Sequence, residues 1–229
     1  MKIQILQLLE GAKHAEGLTV VIDVFRAFSV AAYAFGAGAK RIYPVGDLDK
    51  AFELKEKNPD FILAGERNEQ KVPGFDFGNS PSQLLNTDLH DKTLIHTTSA
   101  GTQGLVNAMN ADEILTGAFV NARSIANYIR NKNPEMVSLV CMGYSTLYPA
   151  EEDSLCAQYI KNELEGKESD FEAMKAEIRS SSGKRFFIPE KQDYAPEEDF
   201  YLCLELNRFN FVLKAVKEDD LIKLERLDQ

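Results

Sequence analysis

The chain predicts an α/β fold of three layers, α/β/α, around a central sheet that is largely parallel or mixed. Three observations predict it. Strand-length apolar runs alternate with helix-length segments from about residue 18 to residue 165, the rhythm of a layered α/β domain. Residues 18–23 read Leu-Thr-Val-Val-Ile-Asp, a continuous β-branched run of the kind found in strands buried on both faces. Polar and charged residues gather where the apolar runs stop, and open α/β sheets bind ligands outside the carboxyl ends of their strands.

In chain order, residues 2–8 alternate weakly and suit an edge strand. The run at 18–23 is followed by a small, apolar and therefore buried helix at 27–37. Residues 41–45 form a strand, and 47–58 an amphipathic helix with Leu48, Ala51, Phe52 and Leu54 inward. Phe61-Ile62-Leu63-Ala64 has strand length and ends at a glycine, so Glu66 and Arg67 fall at its carboxyl end. Ser80-Pro81 has the form of a helix start, Ser as N-cap and Pro at the first helical position. A strand at 93–96 leads through Thr97-Thr98-Ser99-Ala100-Gly101-Thr102 into a helix ending near 107. A short strand at 113–115, a helix at 120–131, a strand at 136–142 and a helix at 151–164 complete the alternation. Helices at 169–180 and 196–206 and a strand at 209–216 break the rhythm. The expected organisation is one α/β domain over 1–229, with a motif-bearing core at 18–165. The extension at 166–229 closes the sheet, packs on the core or contacts a second subunit.

Composition excludes several classes. With 44% hydrophobic residues in 229, the chain can bury a large core. A formal charge of −10 argues against nucleic acid or a membrane surface as partner, while leaving room for arginines to reverse the sign inside a pocket. Cys141, Cys156 and Cys203 are odd in number and form no CxxC, which disfavours a disulfide framework and a thiolate zinc site. No leader segment and no apolar run near 18 residues is read, so the expectation is a cytoplasmic protein. GxxxxGK[ST], a complete dinucleotide fingerprint and GxSxG are all absent.

The chemistry sits at strand ends: Asp23 and Arg26, Glu66 and Arg67, the turn at 97–102, and Glu151, Glu152 and Asp153. Carboxylates beside arginines suit a magnesium ion that takes one or two acids plus phosphate oxygens. Arginine forks grip phosphate or sulfonate in bidentate fashion. Bland readings stand beside these. Asp23 also suits a helix cap, Arg26 a structural ion pair, and the acids at 151–153 a helix N-terminus. His14, His90 and His96 show no ligand spacing.

Four motifs in order resemble the 2-phosphosulfolactate phosphatase family. They are Ile22-Asp23-Val24-Phe25-Arg26-Ala27, Gly65-Glu66-Arg67, Phe75-Asp76-Phe77-Gly78-Asn79-Ser80-Pro81 and Thr97-Thr98-Ser99-Ala100-Gly101-Thr102, with Glu152-Asp153 similar to a later one. The family's patterns are IDVxRA, GER, FDxGNSP and TTxxGT. The chain departs from it in Phe25, where Leu is common, in Phe28-Ser29, and in Ser99-Ala100, where Thr-Asn is common. The resemblance implies an α/β/α homodimer that uses Mg²⁺ to hydrolyse 2-phospho-3-sulfolactate, a step of coenzyme M biosynthesis. The expected catalytic residues are Asp23, Arg26, Glu66 and Arg67. The expected substrate contacts are Arg26, Arg67, Asn79, Ser80, Thr97, Thr98, Gly101 and Thr102, and the expected magnesium ligands Asp23, Glu66, Asp76 and Asp153. The rival readings are a non-catalytic binder of small anions and a phosphatase for another phosphorylated hydroxy acid.

Overall fold

Val20, Val21 and Ile22 are completely buried although they alternate in direction along one strand, so that strand must be covered on both sides. The computed structural model, which describes residues 1–229, shows how. The strand is β2 (Gly17–Ile22), and it lies between parallel neighbours β8 (Met136–Cys141) and β7 (Ala111–Gly117). Val21 faces α4 (Gly101–Asn107), close enough that a Cβ on Gly104 would stand 2.5 Å from Val21 Cγ1. Val20 and Ile22 face the other way, toward α5 (Ala122–Lys132) and its Ile125. Helices on both faces of a mostly parallel sheet give the three layers that the sequence predicts.

The remaining strands are β1 (Lys2–Gln7), β3 (Arg41–Pro44), β4 (Ile62–Arg67), β5 (Gln70–Lys71), β6 (Thr93–Thr97), β9 (Phe211–Glu218) and β10 (Leu221–Asp228). The sheet runs β1-β8-β2-β7-β9-β10-β3-β6-β4-β5. β1 is an edge strand, as its weak alternation suggests. The C-terminal extension does more than close or cover the sheet. Its β9-β10 hairpin is inserted in the middle, antiparallel to β7 on one side and to β3 on the other. Two parallel blocks are thereby joined through the tail of the chain, and the sheet is mixed. β10 was not expected from the sequence. Its sequence, Leu-Ile-Lys-Leu-Glu-Arg-Leu-Asp, lacks a clean alternation, and Leu224 alone of its side chains is fully buried.

The other helices are α1 (Leu8–Lys13), α2 (Ala27–Gly36), α3 (Leu48–Lys57), α6 (Glu151–Glu165), α7 (Phe171–Ser180) and α8 (Glu197–Cys203). In α2 every residue from Ala27 to Phe35 is buried, in accord with its small, apolar sequence. Two details differ from expectation. Phe52 lies on the exposed side of α3, its ring edge-on to Phe75 rather than in the core. Ser80-Pro81 opens a four-residue 3₁₀ turn, Pro81–Leu84, and Ser80 makes no side-chain cap there, because its hydroxyl bonds elsewhere.

Candidate active site

Asp23, at the end of β2, and Glu66, at the end of β4, line one small cavity of about 50 Å³. Five strands separate β2 from β4 in the sheet order, so neighbouring strands do not bring these two acids together. In a flat sheet six strand spacings would put the two strands roughly 29 Å apart. The gap is closed by the loop that leaves β6 and enters α4. Ser99 N–H donates to Glu66 Oε1 at 2.8 Å, and a Cβ on Gly101 would stand 3.0 Å from Asp23 Oδ2. The same loop thus touches both acids.

Each carboxylate is held by backbone donors. Asp23 Oδ1 accepts from Ala27 N–H at 3.1 Å, which makes it a cap of α2 as well as a cavity residue. Glu66 accepts from Ser99 N–H and, through Oε2, from Glu69 N–H at 2.9 Å. Asp153 accepts from Val24 N–H and Gly143 N–H, each at 2.8 Å, and so pins the ends of β2 and β8 together. Glu152 differs: it is buried and its Oε2 has no partner. Burial pushes the Asp23 carboxyl up to about 7, the Ala27 N–H opposes the rise, and the charges of Glu152 and Glu66 add to it. Glu152 is raised, mainly by burial, and Asp153 well above the usual range by burial and by Glu152 and Asp23. An acid cluster that resists full ionisation is a common mark of a functional site.

Arg26 is buried in the cavity wall, after a cis Phe25–Arg26 peptide bond. Its Nη1 donates to Asp199 Oδ2 at 2.6 Å, and Asp199 also accepts from Ser80 Oγ–H at 2.9 Å and Ser82 N–H at 3.0 Å. The second guanidinium of the cavity is Arg185, not Arg67. Arg67 turns away and donates to Glu66 O and Gly46 O, tying the end of β4 to the loop after β3.

The expected site residues divide accordingly. Asp23, Arg26, Glu66, Asn79, Thr98 and Asp153 line the cavity together. Asn79 Oδ1 accepts from His96 Nε2–H at 3.1 Å, which leaves its amide N–H groups free of that bond; burial holds His96 down near 4, and therefore neutral. The Thr98 hydroxyl is buried without a protein partner. Arg67, Asp76, Ser80, Thr97, Gly101 and Thr102 stand outside. Asp76 is half exposed and accepts from Leu63 N–H at 2.8 Å, which removes it from any common ligand set. Ser80 is spent on Asp199, and Thr102 Oγ1–H donates to Thr98 O at 2.8 Å. Thr97 is fully buried in β6, and Gly101 serves as the close approach that admits Asp23. Gly65 of the same motifs is required by its backbone, φ +149°, where a Cβ would fall 2.0 Å from Thr97 O.

Five charged or aromatic residues of the cavity and its support were not expected as site residues and bear on the chemistry: Glu69, Glu152, Arg185, Tyr144 and Asp199. Glu152 belonged to a motif and stood one position from Asp153. Arg67 could have been excluded by strand alternation, since Glu66 and Arg67 must point to opposite faces. Arg185 and Asp199 lie in the tail, and nothing local marks them.

Comparison with known proteins shows the family of the chain. A family model described as 2-phosphosulpholactate phosphatase matches residues 3–218. A protein of Bacillus subtilis (strain 168) named "Probable 2-phosphosulfolactate phosphatase" is 34% identical over 213 residues, covering 92% of each chain. A protein of the same name from Caldanaerobacter subterraneus subsp. tengcongensis is 33% identical over 211 residues, covering 85% of this chain and 86% of its own. One from Carboxydothermus hydrogenoformans reaches 43% over a shorter stretch of 138 residues, 60% of this chain and 57% of the relative. With the family's motifs converging on one buried cavity and its model spanning nearly the whole sequence, the chain belongs to the 2-phosphosulpholactate phosphatase family.

Proposed function

We propose that the protein is a magnesium-dependent phosphatase that hydrolyses 2-phospho-3-sulfolactate to 3-sulfolactate and phosphate. The observation that carries this reading is the charge of the cavity. Asp23, Glu66, Glu69, Glu152 and Asp153 line it with two cations, Arg26 and Arg185, and Lys191 reaches Glu69 from outside. Five carboxylates against two guanidiniums would repel a phosphate ester unless a cation stood between them. No three His, Cys, Asp or Glu side chains are arranged as a ready-made metal cage. Magnesium needs none, since it is commonly held by one or two carboxylates with water and phosphate oxygens. Glu152, with its unpartnered Oε2, and Asp23, with one oxygen uncommitted to Ala27, fit that requirement. The bound ion would supply a Lewis acid for the phosphoryl oxygens.

The chain's own groups do the rest. Arg26, oriented from behind by Asp199, presents its remaining N–H donors to the phosphoryl group and to the charge that develops on it. Thr98 Oγ–H and the Asn79 amide donate to the same oxygens. Glu66, fixed by two backbone N–H groups, is the acid left to take the proton of the attacking water. The cavity has room for a few waters' volume, so the phosphoryl group enters and the rest of the substrate stays toward the mouth. The role in coenzyme M biosynthesis, the homodimer and the cytoplasmic setting go with the same reading; no helix is long and apolar enough to cross a membrane.

A panel of phosphate esters with magnesium, read as kcat/KM, tests the substrate. The reading expects 2-phospho-3-sulfolactate to exceed simple aryl phosphates by orders of magnitude. Thermal stabilisation by phosphosulfolactate without turnover of any ester would contradict it and favour an anion-binding protein.

A further inference from the structure

Arg185, in the cavity wall, and Lys191, just outside it, carry no step of the hydrolysis described above. Arg185 lies in the 3₁₀ turn Ser182–Phe187, and Lys191 in the turn Pro189–Lys191. Both converge on one carboxylate. Arg185 Nη1 stands 3.2 Å from Glu69 Oε1, and Lys191 Nζ 3.4 Å from Glu69 Oε2. Glu69 sits in the β4–β5 turn with left-handed backbone, φ 68°. A second chamber of about 320 Å³ opens there, and Glu69, Tyr144, Glu152 and Arg185 line both it and the inner cavity. Lys191 lines the outer chamber only, together with the acids Glu151 and Glu152.

Arg185 is held in place for this position. Its Nη2 donates to Phe25 O at 3.1 Å, and its Cζ lies 5.8, 5.5 and 5.2 Å from the ring centres of Phe25, Tyr144 and Phe186. A guanidinium packed among rings loses little freedom when it grips an oxyanion. A carboxylate bridged by a guanidinium and an ammonium has the contacts that a ligand's own sulfonate or carboxylate would need.

We propose that Arg185 and Lys191 form a subsite for a second acidic group of the substrate, a sulfonate or carboxylate carried a few bonds from the phosphoester. Glu69 is its internal stand-in, displaced when substrate enters. This rests on the reading of the inner cavity as the phosphoryl site. Arg185 spans the two chambers, so phosphoryl and second anion are held a short carbon chain apart. Monoesters with a single charged head cannot use the outer chamber, and the subsite thereby sets specificity.

The test uses the full chain with Lys191→Met and Glu69→Gln, and two readouts. The first is binding of sulfoacetate, which carries no phosphoryl group, by titration calorimetry in magnesium. The second is the ratio of kcat/KM for 2-phospho-3-sulfolactate to that for p-nitrophenyl phosphate. Lys191→Met is expected to weaken sulfoacetate tenfold or more and to lower the ratio by a similar factor. Glu69→Gln is expected to tighten sulfoacetate several-fold by removing the competing carboxylate. Unchanged sulfoacetate affinity in Lys191→Met, or none in the unaltered protein, would overturn the subsite even if phosphate is released. Lys191-dependent sulfoacetate binding without phosphate release from either ester would uphold the subsite and sink the phosphatase reading instead.

Discussion

Arg26 and Asp199 form a buried pair, Nη1 to Oδ2 at 2.6 Å, that joins the first motif of the chain to a helix 173 residues later. Asp199 is completely buried and accepts from three donors at once, so both of its oxygens are committed. The predicted outcome of Asp199→Asn follows from that count. An amide has one acceptor oxygen, and its NH₂ would face either Arg26 or the Ser80 and Ser82 donors. We expect a loss of about 2 kcal/mol in denaturant unfolding and a fall of more than tenfold in kcat/KM. A stable Asp199→Asn variant with normal kinetics would remove Asp199 from the account.

The two motif arginines should now respond differently. Arg26→Lys keeps the charge but loses the fork beside Asp199, and kcat/KM should fall well over tenfold. Arg67→Lys loses bonds to two backbone carbonyls outside the cavity, so its effect should appear in stability, at roughly 1 kcal/mol, with kcat/KM within a few-fold of normal. Kinetics on both variants decide this, and equal losses of activity would contradict the placement of Arg67.

Gly101 is required for space, since its backbone is not left-handed. A methyl group there would meet Ala27 Cβ at 2.9 Å, Asp23 Oδ2 at 3.0 Å and Phe28 Cζ at 3.1 Å. Gly101→Ala should cost about 1–3 kcal/mol of stability by overpacking and should lower activity by shifting Asp23. Unfolding midpoints and kcat measured together check it, and an unperturbed variant would show that the loop yields freely.

The acid cluster fixes the sign of the pH dependence without metal. Asp23 is pushed up to about 7, above its unfolded value, so the folded state holds the extra proton. That stabilisation is fully present below about pH 4 and is lost as pH rises through about 7. Glu152 and Asp153 shift in the same direction. His96, held near 4, opposes them between about 4 and 6.5, one group against three. The melting temperature of metal-free protein should therefore fall between about pH 5 and about pH 8, less steeply in Asp23→Asn, and magnesium should restore it. A melting temperature that rises over that interval would contradict the cluster.

Much of this was legible in the sequence, and the limits have physical causes. The β-branched run of β2 announced a strand covered on both faces, and the motifs named Asp23, Arg26, Glu66 and Asn79, which line one cavity. The ligand set failed at Asp76, because its position at the end of a polar loop does not reveal that its carboxylate turns to Leu63 N–H. Arg185 reaches Phe25 O across 160 residues, a contact that only the folded tail creates. The same holds for the β9-β10 hairpin, whose place between two parallel blocks depends on pairing with β7 and β3 rather than on its own pattern.

The central claim is that the carboxylates of this cavity hydrolyse a phosphate ester with magnesium. It is tested most directly by phosphate released from 2-phospho-3-sulfolactate as magnesium is titrated into chelator-stripped protein, unaltered and Asp23→Asn. Asparagine keeps the oxygen that accepts from Ala27 N–H and removes one charge at nearly constant shape. The account predicts turnover that depends on magnesium in the unaltered protein. In Asp23→Asn it predicts a loss of orders of magnitude, with more magnesium needed for half the maximal rate. Phosphate release that persists in chelator, or a folded Asp23→Asn protein with unaltered turnover at the same magnesium concentration, would contradict it.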